Sequence, residues 1–132
     1  MDLHPGPDAR IQPSATDLQL ALDSLEDGVI VWDSEGRLLV ANANVARLFD
    51  LPPGLVSLAS RRVDVMAYMA RRGDYGPTHD PERLAQELSD RFATGAVRTL
   101  TRRLPDGRHV RADSRPGPGG RLVVTYREVP PS

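Results

Sequence analysis

Two tight turns constrain this chain more than any other feature. Ser34-Glu35-Gly36 stands between residues 29–33 and 37–41, two short runs rich in Val, Ile and Leu. Pro105-Asp106-Gly107 stands between residues 97–104 and 108–115. Runs of this kind joined by so few residues pair as antiparallel hairpins. In the last run His109, Arg111 and Asp113 alternate with Val110, Ala112 and Ser114, so one face of that strand is wet. A further turn over residues 116–120 leads to a final strand, 121–129.

Helical signals fill the space between the hairpins. Asn42 is placed to cap a short helix over Ala43–Phe49, which Leu51-Pro52-Pro53-Gly54 stops. Val63, Met66, Ala67 and Ala70 share one face of a second helix ending near Arg72-Gly73. Asp80-Pro81-Glu82 opens a third, with Leu84, Leu88 and Phe92 four residues apart and an end near Gly95. Before the first hairpin, Ser14 or Thr16 can cap a helix whose stripe is Leu18, Ala21, Leu22 and Leu25, with Gly28 as its left-handed stop. Residues 1–13 hold four prolines and glycines and read as a flexible tail. The expected layout is a tail (1–13), a flanking helix (14–28), a core (29–129) and a short end (130–132). The fold class is α+β: one antiparallel sheet with helices on one face.

Composition removes several function classes. At 132 residues the chain suits one domain. It has no cysteine, so thiolate catalysis, disulfides and iron–sulfur clusters are excluded. All 17 basic residues are Arg, which excludes a Schiff-base lysine. A net charge of -1 gives no nucleic-acid footprint. No leader pattern and no long apolar run occur, so a cytoplasmic location and no membrane contact are expected.

The joint order of several motifs resembles a PAS domain. They are Leu25-Glu26-Asp27-Gly28-Val29-Ile30-Val31-Trp32-Asp33, Gly36-Arg37-Leu38-Leu39-Val40-Ala41-Asn42 and Leu48-Phe49. Arg72-Gly73-Asp74-Tyr75-Gly76, Pro105-Asp106-Gly107-Arg108 and Gly119-Gly120-Arg121-Leu122-Val123-Val124-Thr125-Tyr126 are similar to the subclass found in front of proteobacterial histidine kinases and cyclic-di-nucleotide enzymes. The resemblance spans about residues 17–129. It implies a five-stranded antiparallel sheet of order 2-1-5-4-3 with helices over one face. It also implies sensing of small molecules, redox state or light, or the joining of proteins, with the helix before the first strand in a dimer interface. The family's closing Asp-(Ile/Val)-Thr signature is replaced by Tyr126-Arg127-Glu128-Val129-Pro130, and Pro130-Pro131 blocks a continuous output helix. A freestanding module is therefore expected.

Candidate sites follow from these elements. His4, His79 and His109 show no metal-ligand spacing, and neither haem nor flavin is supported. Asp33, Asp74, Asp80 and Asp106 each have a turn or cap to serve, so no catalytic set is expected. The doublets Arg61-Arg62, Arg71-Arg72 and Arg102-Arg103 read as solvated faces. Val31, Val40, Phe49, Met66, Tyr68 and Met69 are placed to line a ligand cavity in such a fold, or to form plain core. Tyr75 is a lid over that cavity or a loop anchor. Leu18, Ala21, Leu22 and Leu25 need cover, and an outward Trp32 would extend that face, which makes them the candidate dimer interface. The expected function is a non-enzymatic signalling module that homodimerises and contacts a partner such as a histidine kinase. The alternative is a sensor holding a small ligand.

Overall fold

The computed structural model describes residues 11–94 and 97–131. The chain runs α1 (Ala15–Asp23), β1 (Gly28–Trp32), β2 (Leu38–Ala41), α2 (Ala43–Phe49), α3 (Arg62–Arg72), α4 (Pro81–Phe92), β3 (Arg98–Arg103), β4 (His109–Pro116) and β5 (Leu122–Val129). The five strands form one antiparallel sheet in the order β2-β1-β5-β4-β3. Both hairpins and the sheet order agree with expectation. Most of the expected tail, Gly95 and Ser132 lie outside the described residues, and α4, expected to end near Gly95, ends at Phe92. No described helix is long and apolar enough to cross a membrane.

Pairing of the first strand with the last unites the two hairpins. β1 meets β5 from Gly28 opposite Tyr126 to Trp32 opposite Leu122. Strand alternation then sorts the side chains. Ile30, Trp32, Leu38, Val110, Leu122 and Val124 are buried on the inner face, against Val45, Leu48 and Phe49 of α2 and Val65 and Met69 of α3. Val29, Val31, Val40 and Val123 lie on the other face and are half-buried.

Gly28 does not stop the first helix. α1 ends at Asp23, and Gly28 begins β1. A Cβ there would stand 3.1 Å from Val45 Cγ2 and 3.3 Å from Leu48 Cδ1, so the glycine lets β1 pass close under α2. The cap of α2 also differs from expectation. Asn42 occupies the cap position but its side chain does not cap. Its Oδ1 accepts from Val29 N at 2.9 Å, and its Nδ2 donates to the carbonyls of Leu22 and Asp27, both at 2.8 Å. Asp23 Oδ1, from the end of α1, accepts from Ala43 N at 2.7 Å instead. Gln19 Nε2 donates to Ala41 O at 2.8 Å. α1 is thus fastened to the sheet by polar bonds, although none of its residues is buried.

A second fastening joins the ends of α2 and α3. Arg72 grips Asp74 through Nε to Oδ1 at 2.9 Å and Nη2 to Oδ2 at 2.7 Å. It also donates to the carbonyls of Phe49 and Asp50. The Asp74 side chain is fully shielded, while that of Arg72 keeps 30% of its exposure. Removing one member of such a pair leaves the other stranded. Asp74→Ala is expected to lower stability by about 3 kcal/mol in urea unfolding. A loss under about 1 kcal/mol, the range of an exposed pair, would contradict this reading.

The hairpin turns share one carboxylate device. Asp33 Oδ1 accepts from the backbone of Glu35 and Arg37 at 2.8 and 2.9 Å, and Asp106 Oδ1 from Arg108 N at 3.0 Å. The backbone bond from Arg37 is the main cause holding Asp33 below the usual carboxylate range, and that from Arg108 does the same for Asp106. A carboxyl depressed by folding stabilises above its unfolded pKa and loses that effect as pH falls through the folded value. Stability is therefore expected to be flat near neutrality and to fall below about pH 4. Asp33→Asn should flatten that acid limb in thermal melts, and an unaltered limb would rule the device out.

Candidate functional site

A cavity of about 210 Å³ lies between the inner sheet face and the helices. The sheet supplies Ile30, Trp32, Val110, Ala112 and Tyr126, and the helices supply Phe49, Met66, Met69 and Phe92 among others. Phe49 and Tyr126 meet edge to face, with ring centroids 4.9 Å apart. Most of this wall is apolar. Two arginines interrupt it.

Arg62, at the start of α3, is only 6% exposed. Its Nε donates to Ser89 Oγ and its Nη2 to Ser89 O, both at 3.2 Å. Its guanidinium carbon stands 5.7 Å from the Trp32 ring centroid and 5.9 Å from that of Phe92. Burial pulls its pKa below the ordinary arginine value. Arg102 comes from the opposite side, on β3. It pairs in register with buried Val110, so it shares the inner face. Its guanidinium lies 4.5 Å from the Tyr75 ring centroid and 5.6 Å from that of Phe49. Among the described residues neither arginine forms an ion pair, whereas Arg37, Arg72, Arg108 and Arg127 all do.

Two phenols complete the polar lining. Burial raises the pKa of Tyr75 and of Tyr126 above the ordinary tyrosine value. Both stay protonated at neutral pH and can donate hydrogen bonds. The Tyr75 hydroxyl approaches Met69 Sδ at 3.8 Å. Among the described residues no hydrogen bond involves the Tyr126 hydroxyl, and no group of three His, Asp or Glu side chains could hold a metal ion.

The structure sorts the expected pocket residues into two sets. Phe49, Met66 and Met69 line the cavity. Tyr68 packs against the core beside it, with Arg72 5.2 Å from its ring centroid. Val31 and Val40 face each other on the opposite side of the sheet, where odd positions of β1 point. Trp32 is corrected in the other direction. It is 3% exposed and forms part of the cavity wall, so it contributes nothing to an outer docking face. A bulge in β2 lets it pair with Leu38, with Leu39 as the extra residue. Tyr75 lines the cavity, half-buried.

The arginine doublets are not uniformly solvated. Arg62 is buried, Arg72 is paired with Asp74, and Arg102 turns inward. No signal within β3 marked Arg102, whose facing shows only in its pairing with Val110, whereas alternation from Val124 was an available signal for Tyr126. On α1, Leu18 is 57% exposed, Ala21 is exposed and Leu22 is half-buried, whereas Leu25, 48% exposed, lies beyond the helix, which ends at Asp23 and not at Gly28. His79 is exposed, and His109 lies on the β4 face away from Val110.

A second concavity, lined by Asp27, Arg47, Arg108, Arg127 and Glu128 among others, is polar and internally paired. Arg127 grips Asp27 through two bonds of 3.1 and 3.0 Å, and Arg108 pairs with Asp106 and Glu128. The contrast singles out the inner cavity.

The chain is similar to known proteins along most of its length. It is 26% identical over 121 residues to the Non-motile and phage-resistance protein of Caulobacter vibrioides, covering 92% of this chain but 13% of that protein. The PAS domain of Bordetella pertussis BvgS superposes with a TM-score of 0.63 at 19% identity, over 86% of this chain and 85% of that one. A domain of the sensory box sensor histidine kinase/response regulator of Geobacter sulfurreducens gives 0.54 at 17% identity, over 86% and 92%. The PAS fold family model matches residues 22–132. With the strand order and helix-covered face described above, that match means that the chain belongs to the PAS fold family.

Proposed function

We propose that this PAS signalling module is non-enzymatic, homodimerises through α1, and contacts a signalling protein in a histidine kinase pathway. The observation that carries the reading is the state of α1. The helix is held to the sheet by Gln19, Asp23 and Asn42, yet Leu18 on it and Leu25 just after it stay open to solvent. A fastened helix with an uncovered apolar stripe is a docking element. Leu18 and Leu25 each keep about half their surface to bury, worth about 1 kcal/mol apiece. Four such side chains across a two-fold axis are comparable with the roughly 4 kcal/mol lower bound for association. The dimer is therefore weak and reversible, which suits a switch. Kinship with a domain of a sensor histidine kinase supports the choice of partner. A cytoplasmic location goes with that pathway.

A second reading is favoured by the cavity. A void of about 210 Å³ beneath a regulatory fold suits a small ligand that shifts the balance between two conformations by differential affinity. The two readings are compatible, because a dimeric module can also be a sensor.

Sedimentation equilibrium tests the first reading. The unaltered chain is expected to dimerise reversibly. The double variant Leu18→Arg with Leu25→Arg should weaken the dimer by at least about tenfold, or about 1.4 kcal/mol. Its circular dichroism should not change, because both side chains are exposed in the protomer. A strict monomer, or a dimer indifferent to both arginines, would overturn the assignment.

A further inference from the structure

We propose that the cavity selects a small organic carboxylate, one ring or a short chain in size, and that Arg102 holds its charged end. This rests on reading the cavity as a ligand chamber. Its size sets one limit. A void of about 150 Å³ holds benzene, and ligand pockets begin at about 300 Å³. At about 210 Å³ the chamber falls between them.

Charge sets the other limit. Arg62 and Arg102 both line the void, and among the described residues no carboxylate pairs with either. A shielded cation without a counterion is costly, so an entering anion gains what the protein does not supply. The two arginines differ in what they have left to offer. Arg62 already donates twice to Ser89 and lies against the rings of Trp32 and Phe92. Arg102 lies against the rings of Tyr75 and Phe49, and among the described residues no carboxylate takes up its fork, which a ligand can therefore engage. One available fork matches one carboxylate, because the second cation of the lining, Arg62, is already bonded to Ser89. The protonated Tyr126 hydroxyl, without a partner among the described residues, supplies another donor.

Calorimetry with two matched pairs tests the assignment: phenylacetate against phenylacetamide, and octanoate against octanamide. Each pair has one shape and differs in charge. At least one carboxylate should bind at least about tenfold more tightly than its amide, the margin of a charge-assisted contact over a neutral one. Arg102→Gln should erase that margin and leave amide binding within about twofold. The comparison on the unaltered chain decides the question even if the variant fails to fold. If amide and acid bind alike, or Arg102→Gln leaves acid binding intact, the anion assignment is wrong and Arg102 is an inward charge guarding an edge strand. The chamber reading survives that result. If none of the four probes binds, the chamber reading falls and takes the assignment with it.

Discussion

Everything in this molecule depends on the antiparallel seam between β1 and β5. Without it the chain holds only a two-stranded ribbon, β1–β2, marginal in water, and a separate three-stranded meander, β3–β4–β5. The seam joins strands separated by most of the chain and makes a five-stranded sheet. It also sets which side chains face the helices. Ile30 opposes Val124 and Trp32 opposes Leu122, so bulky apolar groups meet on one face. A slip of one residue would put Trp32 in water and Val31 in the core. Gly28 permits the seam to run beneath α2, because any larger side chain would press on Val45 and Leu48.

That alternation explains what could be read from residues alone. The two turns and the proline-led start of α4 were legible, since each has a local signature, whereas the order of strands in the sheet came from the resemblance to a family. The facing of β1 was not. Alternation says that Trp32 and Val31 point opposite ways, but the choice between them lies in the partner strand. The same limit hid the arginines. A doublet must send its members to opposite faces of a strand, and only pairing with Val110 shows that Arg102 is the inward one. Gly28 and Asn42 mislead for another reason. Both residue types favour helix ends, and both stand near one. Tertiary contacts put the glycine to close packing under α2 and the amide to bridging α1 and β1.

The two open features of the fold are adjacent through Asn42. Its amide binds the end of α1 on one side and the backbone of β1 on the other. β1 in turn supplies Ile30 and Trp32 to the cavity wall. α1 and the cavity therefore share a hydrogen-bonded strand. Family membership accounts for the sheet and its helices. The inward arginines, without an ion pair among the described residues, and the fastened, uncovered helix are features of this chain's own residues, and the functional reading is built on them.

Fluorescence of the sole tryptophan tests the central claim most directly. If the β1–β5 register is as described, Trp32 lies in an apolar wall, shielded from water. Its emission should be blue-shifted and resist quenching by iodide, at low and at high protein concentration alike. Emission typical of a hydrated indole, quenched freely by iodide, would place Trp32 on the outer face and contradict the register, the cavity and the proposals that rest on them.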